Sequence, residues 1–432
     1  MKSLHEINGE YNCFNTIQEY KEKTEGALKG VKISVKDCIC VKGMESTAGS
    51  AILKGYRPLF NATAVQKLLD EGAVIIGKTA QDAFGFGSFS INTGKGFKQP
   101  LNPIDKTRVT GGSSGGSACI TKLADFSHIA LAESTGGSIA CPASYCGVIG
   151  LTPTYGRVSR YGLIDYANSL DKIGVMAKTV IECAKALEII AGKDKKDQTT
   201  ADAPVEKYTS FPGKGVKGIR IGIIKESIQD GVDKDVKEKF LKTAEFLKSK
   251  GAIVEEVTLP VTFKHALPVY YIIAMSEAST NLAKYCGMRY GRDEKIEGSF
   301  NEYFAKVRSK CFDDETKRRI MLGTFARMSG FRDAYYIKSA KIRTLIINEY
   351  KNLFKKYDVL ISPSMPNTAP KTEEVKKLTP IQNYMMDILT VGPNLAGLPH
   401  ISVPVGAGLP TGFMIIADHF DEGIMLQVAY EI

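Results

Sequence analysis

Two glycine-rich turns that carry serines lie close together in the sequence, at 111–117 and 135–138. Upstream, Lys36 stands near the end of a segment, 30–37, in which apolar and polar residues alternate as they do in a strand. A serine hydroxyl is a weak nucleophile and needs a base nearby, and a lysine can be that base only where burial favours its neutral form. Together these residues predict hydrolysis of an amide by serine and lysine, with glycine N–H groups free to surround the oxyanion.

Two other motifs overlap this region and would indicate different chemistry. Residues 72–79 fit the phosphate-binding P-loop pattern, and residues 112–116 fit the nucleophile elbow of α/β-hydrolases with Ser114 as the nucleophile. A P-loop follows a strand, whereas here a helix at 63–71 comes first and 74–78 is itself the strand. An elbow needs a buried strand immediately upstream, and the residues before this one are typical of a loop. We therefore expect neither phosphate binding nor an elbow.

Composition limits the class of protein. The chain has 432 residues, 44% of them hydrophobic, which is enough for a substantial core. Its first residues are polar and of mixed charge, no stretch resembles a membrane span, and nine scattered cysteines suggest reduced thiols, so we expect a cytoplasmic protein. The net charge of +10 is spread out, which does not indicate a direct nucleic-acid site. Neither Cys38 and Cys40 nor the isolated histidines suggest a metal site, and His128 is expected to be a strand residue.

Strands and helices alternate along the chain, which predicts an α/β layered fold. The first part is expected to contain a helix at 63–71, a strand at 74–78, a helix at 116–123, a strand at 128–132 and a helix at 177–191. Further along we expect a polar connection at 193–217, a strand, helix and strand within 218–257, a helical stretch at about 265–357, and strands with an apolar helix near 384–396 in the final part, 358–432.

Several of these segments resemble the amidase signature family. They are 34–37, 111–118, 135–139 and 142–159. The resemblance implies that Lys36 is the base, Ser113 a bridging serine in a cis peptide, and Ser138 the nucleophile, with an oxyanion hole formed by backbone N–H groups of Thr135, Gly136 and Gly137. It also implies one α/β/α domain over residues 1–432 with a large central mixed sheet, the signature motifs lying in about 27–192 and the helical stretch being an insertion.

Other segments resemble one branch of that family, the A subunits of tRNA-dependent amidotransferases, which make Gln-tRNA or Asn-tRNA. They are 155–164, 168–174, 191–197, 276–283, 317–324 and 333–336. The resemblance implies a glutaminase in which Arg319 binds the α-carboxylate of glutamine, Asp387 binds its α-ammonium and Tyr270 lines the pocket. It implies no cofactor in this chain. Ammonia would pass to a B subunit, which acts on misacylated tRNA with ATP and magnesium, while a small C subunit helps to hold the pair together.

The sequence departs from the family pattern near the nucleophile, with Ser134 for the usual Asp, Ala140 for Arg and Thr152 for Lys. The stretch before Lys36 is also shorter than usual, so N-terminal helices of the family are expected to be missing. Two alternatives stay open: a stand-alone amidase on small amides, which has no need of an arginine and aspartate pair, and a non-catalytic scaffold subunit. Sequence does not distinguish Glu-tRNA from Asp-tRNA as the acceptor.

Overall fold

Eleven strands form one mixed sheet in the computed structural model, which describes residues 2–432. In chain order the strands are β1 Phe14–Tyr20, β2 Lys32–Lys36, β3 Val74–Thr79, β4 His128–Ser134, β5 Ile149–Thr152, β6 Lys172–Ala177, β7 Arg220–Ile224, β8 Ile253–Val257, β9 Val359–Pro363, β10 His400–Val405 and β11 Thr411–Ala417. Their order across the sheet is β1-β3-β2-β4-β6-β5-β10-β11-β9-β7-β8. The predicted α/β class with a large mixed sheet is confirmed.

Helices cover both faces of this sheet and form the helical stretch in the second half. They are α1 Leu4–Tyr11, α2 Thr63–Asp70, α3 Gly115–Leu123, α4 Ala140–Cys146, α5 Val180–Ile190, α6 Lys234–Ser249, α7 Pro260–Asn281, α8 Phe300–Cys311, α9 Asp314–Arg327, α10 Lys338–Phe354, α11 Thr372–Val375, α12 Pro380–Met385, α13 Val391–Ala396 and α14 Glu422–Tyr430. None of the helices between residues 2 and 432 has the length and apolar character that a membrane span requires.

The strand β4 shows how the sheet separates two apolar layers. Ile129 and Leu131 belong to the large core on one face, whereas Ala130 and Ala132 pack in a smaller core with α3 and α4 on the other. Alternate residues of a strand point to opposite faces, so this division follows from the sequence of β4. The small alanine side chains let α3 and α4 lie close to the sheet, and the two serine-bearing turns lead into these helices.

Most of the elements expected from the sequence are present, with ends that differ by a few residues. The prediction of one apolar helix near 384–396 is wrong. The chain forms α12, a turn and then the separate helix α13. Pro393 gives the physical reason, since its ring would clash with the carbonyl four residues earlier in a continuous helix, while it is tolerated in the first turn of a new one. The break places Asp387 in the turn between the two helices.

The connection at 193–217 has no strand or α-helix, as predicted, but it is not wholly at the surface. Tyr208 is fully buried and donates a hydrogen bond to Glu422 at 3.2 Å. His128 is a buried residue of β4 that contacts Ser34 Oγ at 3.0 Å, so its expected place in a strand is confirmed. The nine cysteines are all free thiols, and eight of them are buried.

Candidate active site

Lys36 is the last residue of β2 and is completely buried. Its Nζ lies 2.7 Å from Ser113 Oγ, 2.9 Å from the carbonyl oxygen of Glu133 and 2.8 Å from Glu133 Oε2. The strand is held between two parallel neighbours, β3 and β4, which fix the direction of the side chain. The lysine and the first serine of the predicted set are therefore in direct contact, 77 residues apart in the chain.

Ser113 lies in the turn just before α3. The Gly112–Ser113 peptide is cis, as the resemblance implied. Its side chain is fully buried, and its carbonyl oxygen accepts a hydrogen bond from the backbone N–H of Asp82 at 3.3 Å. The Ser113 hydroxyl thus contacts the lysine, and the next residue, Ser114, is joined through its N–H group to the turn that carries Ser138.

Ser138 follows β4 in the turn that leads into α4. Its carbonyl oxygen accepts a hydrogen bond from the N–H of Ser114 at 3.3 Å, so the two serine-bearing turns are joined through the backbone. Ser138 is 7% exposed, whereas Lys36 and Ser113 are 0% exposed. Of the three predicted catalytic residues, Ser138 alone reaches the surface of the site, which is where a nucleophile must meet its substrate.

The backbone between β4 and Ser138 offers hydrogen-bond donors to this site. Within residues 2–432, the N–H groups of Thr135, Gly136 and Gly137 donate no hydrogen bond to the protein. A Cβ on Gly136 would lie 2.8 Å from the Tyr270 hydroxyl, and one on Gly137 would lie 2.7 Å from Thr390 Oγ1. Both positions therefore require glycine, and the free N–H groups are available to an oxyanion.

The structure also accounts for the two competing motifs. Ser114 is fully buried, and its hydroxyl donates to the carbonyl oxygen of Glu133 at 3.1 Å, while no strand precedes it. Lys78, the lysine of the P-loop pattern, is buried and donates to Ser46 Oγ at 2.6 Å and to the carbonyl oxygen of Asp37 at 3.2 Å. Neither side chain is placed for the chemistry that its motif would indicate.

Arg319 lies on α9 and is buried, with 3% of its surface exposed. It donates to Glu315 Oε1 at 2.7 Å and to the Tyr166 hydroxyl at 2.6 Å. The helix packs tightly on α7, where the backbone of Met275 leaves no room for a Cβ at Gly323. The arginine is thus fixed on a rigid helix and surrounded by tyrosines, but it already has a carboxylate partner on its own helix.

Asp387 lies in the turn between α12 and α13. It accepts hydrogen bonds from Ser88 Oγ at 2.8 Å and from the Tyr271 hydroxyl at 2.6 Å. Burial raises the pKa of this carboxyl, while the two hydrogen bonds and Arg319 act to lower it. A cation bound beside Asp387 would favour the ionised carboxylate further.

Arg319 lines a cavity of about 320 Å³. Ser88, Glu315, Arg319 and Tyr384 are among the residues that line it. Tyr271 stacks on Tyr384 with ring centroids 4.2 Å apart. The predicted arginine therefore lines the pocket, whereas Asp387 adjoins it through the hydrogen bond from Ser88. Tyr270 lies outside the lining, with its hydroxyl close to Gly136 of the serine turn.

Sequence reasoning missed several polar residues of the site. They are Ser88, Glu133, Tyr166, Asp171, Tyr271 and Glu315. Glu133 offered one signal, an acidic residue at the end of a strand that is otherwise small and apolar. Tyr271 gave none, because an aromatic residue on a helix is usually part of the core, and Tyr166 lies in an irregular segment without a recognisable pattern.

The three departures from the family pattern have different local consequences. Ser134 donates to the carbonyl oxygen of Gly136 at 2.8 Å, so it supports the shape of the turn. Ala140 is the first residue of α4 and is fully buried. Thr152 is buried in β5, and its hydroxyl has no hydrogen-bond partner among residues 2–432. None of the three contacts the Lys36 amine.

Comparisons with known proteins show which family this chain is similar to. The Amidase family model matches residues 14–426. The chain is 46% identical over 418 residues to the A subunit of glutamyl-tRNA(Gln) amidotransferase from Thermoanaerobacter pseudethanolicus, over 96% of this chain and 84% of that protein. The crystal structure of the corresponding A subunit from Thermotoga maritima has a TM-score of 0.83 and 37% identity, over 98% of this chain and 87% of that one. The structure of the peptide amidase of Stenotrophomonas maltophilia has a TM-score of 0.74 and 27% identity, over 94% of this chain and 82% of that one.

Proposed function

We infer the function from membership: the chain belongs to the amidase family, among the A subunits of glutamyl-tRNA(Gln) amidotransferase. It is the glutamine-hydrolysing subunit, which supplies ammonia for the amidation of a misacylated tRNA. The observation that carries the catalytic assignment is the 2.7 Å contact between Lys36 Nζ and Ser113 Oγ, with Ser138 at the accessible edge of the same site.

In the proposed mechanism, neutral Lys36 takes a proton from Ser113 while Ser113 takes one from Ser138. The Ser138 oxygen attacks the side-chain amide carbon of glutamine and forms a tetrahedral intermediate. The free N–H groups between Thr135 and Gly137 are proposed to stabilise the oxyanion. The ammonia takes a proton back along the same relay as it leaves, and water then releases glutamate from the acylated serine.

Selection of glutamine is proposed to depend on its two charged groups. Arg319 would bind the α-carboxylate and Asp387 the α-ammonium, because a guanidinium matches a carboxylate and a carboxylate matches an ammonium. Glu315 already accepts a hydrogen bond from the arginine, so the substrate carboxylate would have to use the guanidinium nitrogens that this contact leaves free. Tyr270 would line the wall between this pocket and the oxyanion site.

The rest of the reaction is assigned to partners. We propose that ammonia passes to a B subunit that acts on the misacylated tRNA, and that a small C subunit stabilises the pair. ATP and magnesium are proposed to bind the B subunit, and this chain is proposed to need no cofactor of its own. The nine free thiols agree with a cytoplasmic location. Whether Glu-tRNA, Asp-tRNA or both are accepted would be decided by those partners.

The test is purification of the full chain from its native host with the proteins that accompany it. We expect a B-type subunit to co-purify, and the complex to form amidated tRNA with either glutamine or free ammonium, the former with release of glutamate. Hydrolysis of simple amides by the chain alone, with no accompanying protein and no preference for glutamine, would favour a stand-alone amidase. Absence of an acyl-enzyme with every substrate would favour a scaffold.

A further inference from the structure

Glu133 contacts Lys36 twice, once through its backbone carbonyl oxygen and once through its carboxylate at 2.8 Å. The two side chains, of Lys36 and Glu133, are 0% and 4% exposed. Within residues 2–432, no other carboxylate oxygen lies within 4 Å of the Lys36 amine. The base of the proposed relay therefore has a single, buried counter-ion, which neither the motif nor the family resemblance indicated.

This contact affects the chemistry directly. A lysine acts as a base only when neutral, and an opposite charge at hydrogen-bond distance favours the charged ammonium. We propose that Glu133 is a positioning residue that holds the Lys36 amine against Ser113 and, through the charge of its carboxyl, sets the pH at which Lys36 becomes available as a base. The proposal rests on the assignment of Lys36 as the base.

The Glu133 carboxyl is itself held in a fixed hydrogen-bond network. Thr135 Oγ1 lies 2.8 Å from Glu133 Oε1 and 2.8 Å from Asp171 Oδ1. A threonine hydroxyl has one hydrogen, so it can donate to only one of these carboxyls at a time. Burial raises the pKa of Asp171 well above its ordinary value, and the charge of Glu133 adds to that effect. The carboxyl of Glu133 that faces Lys36 is thus linked through one threonine to a second buried acid, Asp171.

The other titratable groups around Lys36 contribute less. Burial raises the pKa of Asp82 to about 7, and that carboxyl accepts backbone N–H groups instead of the lysine. Burial also raises the pKa of the Cys38 thiol, which keeps it neutral. Lys78, on the neighbouring strand, lies 3.8 Å from its own counter-ion, Asp37. Glu133 is therefore the charged group that interacts with the Lys36 amine at contact distance.

The test is the pH dependence of kcat/KM for the full chain purified with its accompanying subunits. Glu133→Gln preserves the size and the hydrogen-bonding oxygen but removes the charge, so the acidic limb of the profile is expected to move about one pH unit or more toward lower pH. Glu133→Asp keeps the charge but withdraws it, so the limb is expected to move less than in Glu133→Gln while kcat falls. Glu422→Gln is the matched control, since it neutralises another buried glutamate, paired with Arg157, outside the site.

Each profile is measured with glutamine and with a simple activated ester, and Ser138→Ala supplies the background for both. If glutamine is not the substrate, the pH profile with the ester still shows whether Glu133 shifts the acidic limb. Failure of the glutamine assignment can therefore be told apart from failure of the role proposed for Glu133. A limb that stays in place in Glu133→Gln while the rate falls at every pH would overturn the proposal and leave Glu133 a structural residue. If Glu133→Gln does not fold, Glu133→Met, which also removes the charge, is expected to shift the limb in the same direction, and an unshifted limb there overturns the proposal equally.

Discussion

Tyr271 donates a hydrogen bond from its hydroxyl to Asp387 at 2.6 Å and so joins α7 to the turn between α12 and α13. The ring centre of the same tyrosine lies 5.4 Å from the guanidinium carbon of Arg319. One aromatic side chain thus contacts both groups that are proposed to bind the charges of glutamine. Its position sets the distance between the two, which is the distance that a substrate with both an α-carboxylate and an α-ammonium has to match.

Removal of the charge of Arg319 or of Asp387 should lower activity toward glutamine much more than activity toward a substrate without charged groups. Arg319→Ala or Asp387→Ala is expected to lower kcat/KM for glutamine by about 2–5 kcal/mol, because each leaves a buried charge of the pocket or the ligand without its partner. Turnover of an activated ester that lacks both charges should change little. The measurement is steady-state kinetics with both substrates.

Two controls separate substrate binding from folding in this experiment. Lys317→Ala, a change to a partly exposed lysine on the same helix, should leave both activities intact. With the B subunit present, Arg319→Ala and Asp387→Ala should still form product from free ammonium. Equal losses with glutamine and ammonium would show that these residues support the fold or the assembly instead.

Substitution of the nucleophile should abolish the covalent route. Ser138→Ala is expected to reduce glutamine hydrolysis about a thousandfold or more, since no acyl-enzyme can form. A reactive glutamine analogue should label Ser138, as mass spectrometry of the digested protein would show. Ser114→Ala removes only a buried hydrogen bond to a backbone carbonyl and should keep most of the activity. Labelling of Ser114 would contradict the assignment.

Loss of the base should also destabilise the protein, because it leaves a carboxylate buried without its partner. Lys36→Ala is expected to lose several orders of magnitude in activity and about 3–5 kcal/mol in the free energy of unfolding. The double variant Lys36→Ala with Glu133→Gln should recover much of that stability and none of the activity. Denaturant unfolding and a glutaminase assay check the two parts, and a Lys36→Ala protein with near-normal turnover would rule out the serine and lysine relay.

Lys172 gives a pH dependence of stability that is separate from catalysis. Burial lowers its pKa to about 7, while its Nζ donates to the carbonyl oxygen of Leu398 at 2.8 Å. Between pH 7 and about 10 the unfolded chain binds this proton and the folded chain does not, so its contribution to the free energy of unfolding rises with pH, by about 5 kcal/mol at most. Relative to the wild type, Lys172→Met should be more stable near pH 7, and the difference should shrink as the pH rises. A constant difference across this range would contradict the prediction.

The sequence predicted the site best where local patterns and motifs coincide. Lys36 at the end of a strand and Ser113 in a turn before a helix could be placed without a structure, and the contact between their side chains agrees with the pairing that the motifs implied. Arg319 and Asp387 were predicted from the family resemblance, and both lie beside the same aromatic side chain, that of Tyr271. Their roles in catalysis and binding stay predictions.

What the sequence could not predict depends on contacts between distant segments. The order of the sheet inserts β10 and β11 between β5 and β9, which no local pattern indicates. In the sequence Glu133 resembles an ordinary residue at the end of a strand. Its proposed role depends on contact with Lys36, which is 97 residues away in the chain. The carboxylate partner of Arg319, four residues earlier on the same helix, could have been found from that spacing.

The contact between α7 and α9, with the backbone of one helix against Gly323 of the other, would make the proposed choice of substrate depend on the spacing of two helices. Tyr271 lies on α7 and Arg319 on α9, so the gap between the helices would set the room for the amino acid that the arginine is proposed to bind. A side chain at position 323 would act as a wedge between the helices. A substitution at position 323 is therefore expected to change the choice of substrate without touching the substrate, while the hydrolytic machinery stays unchanged.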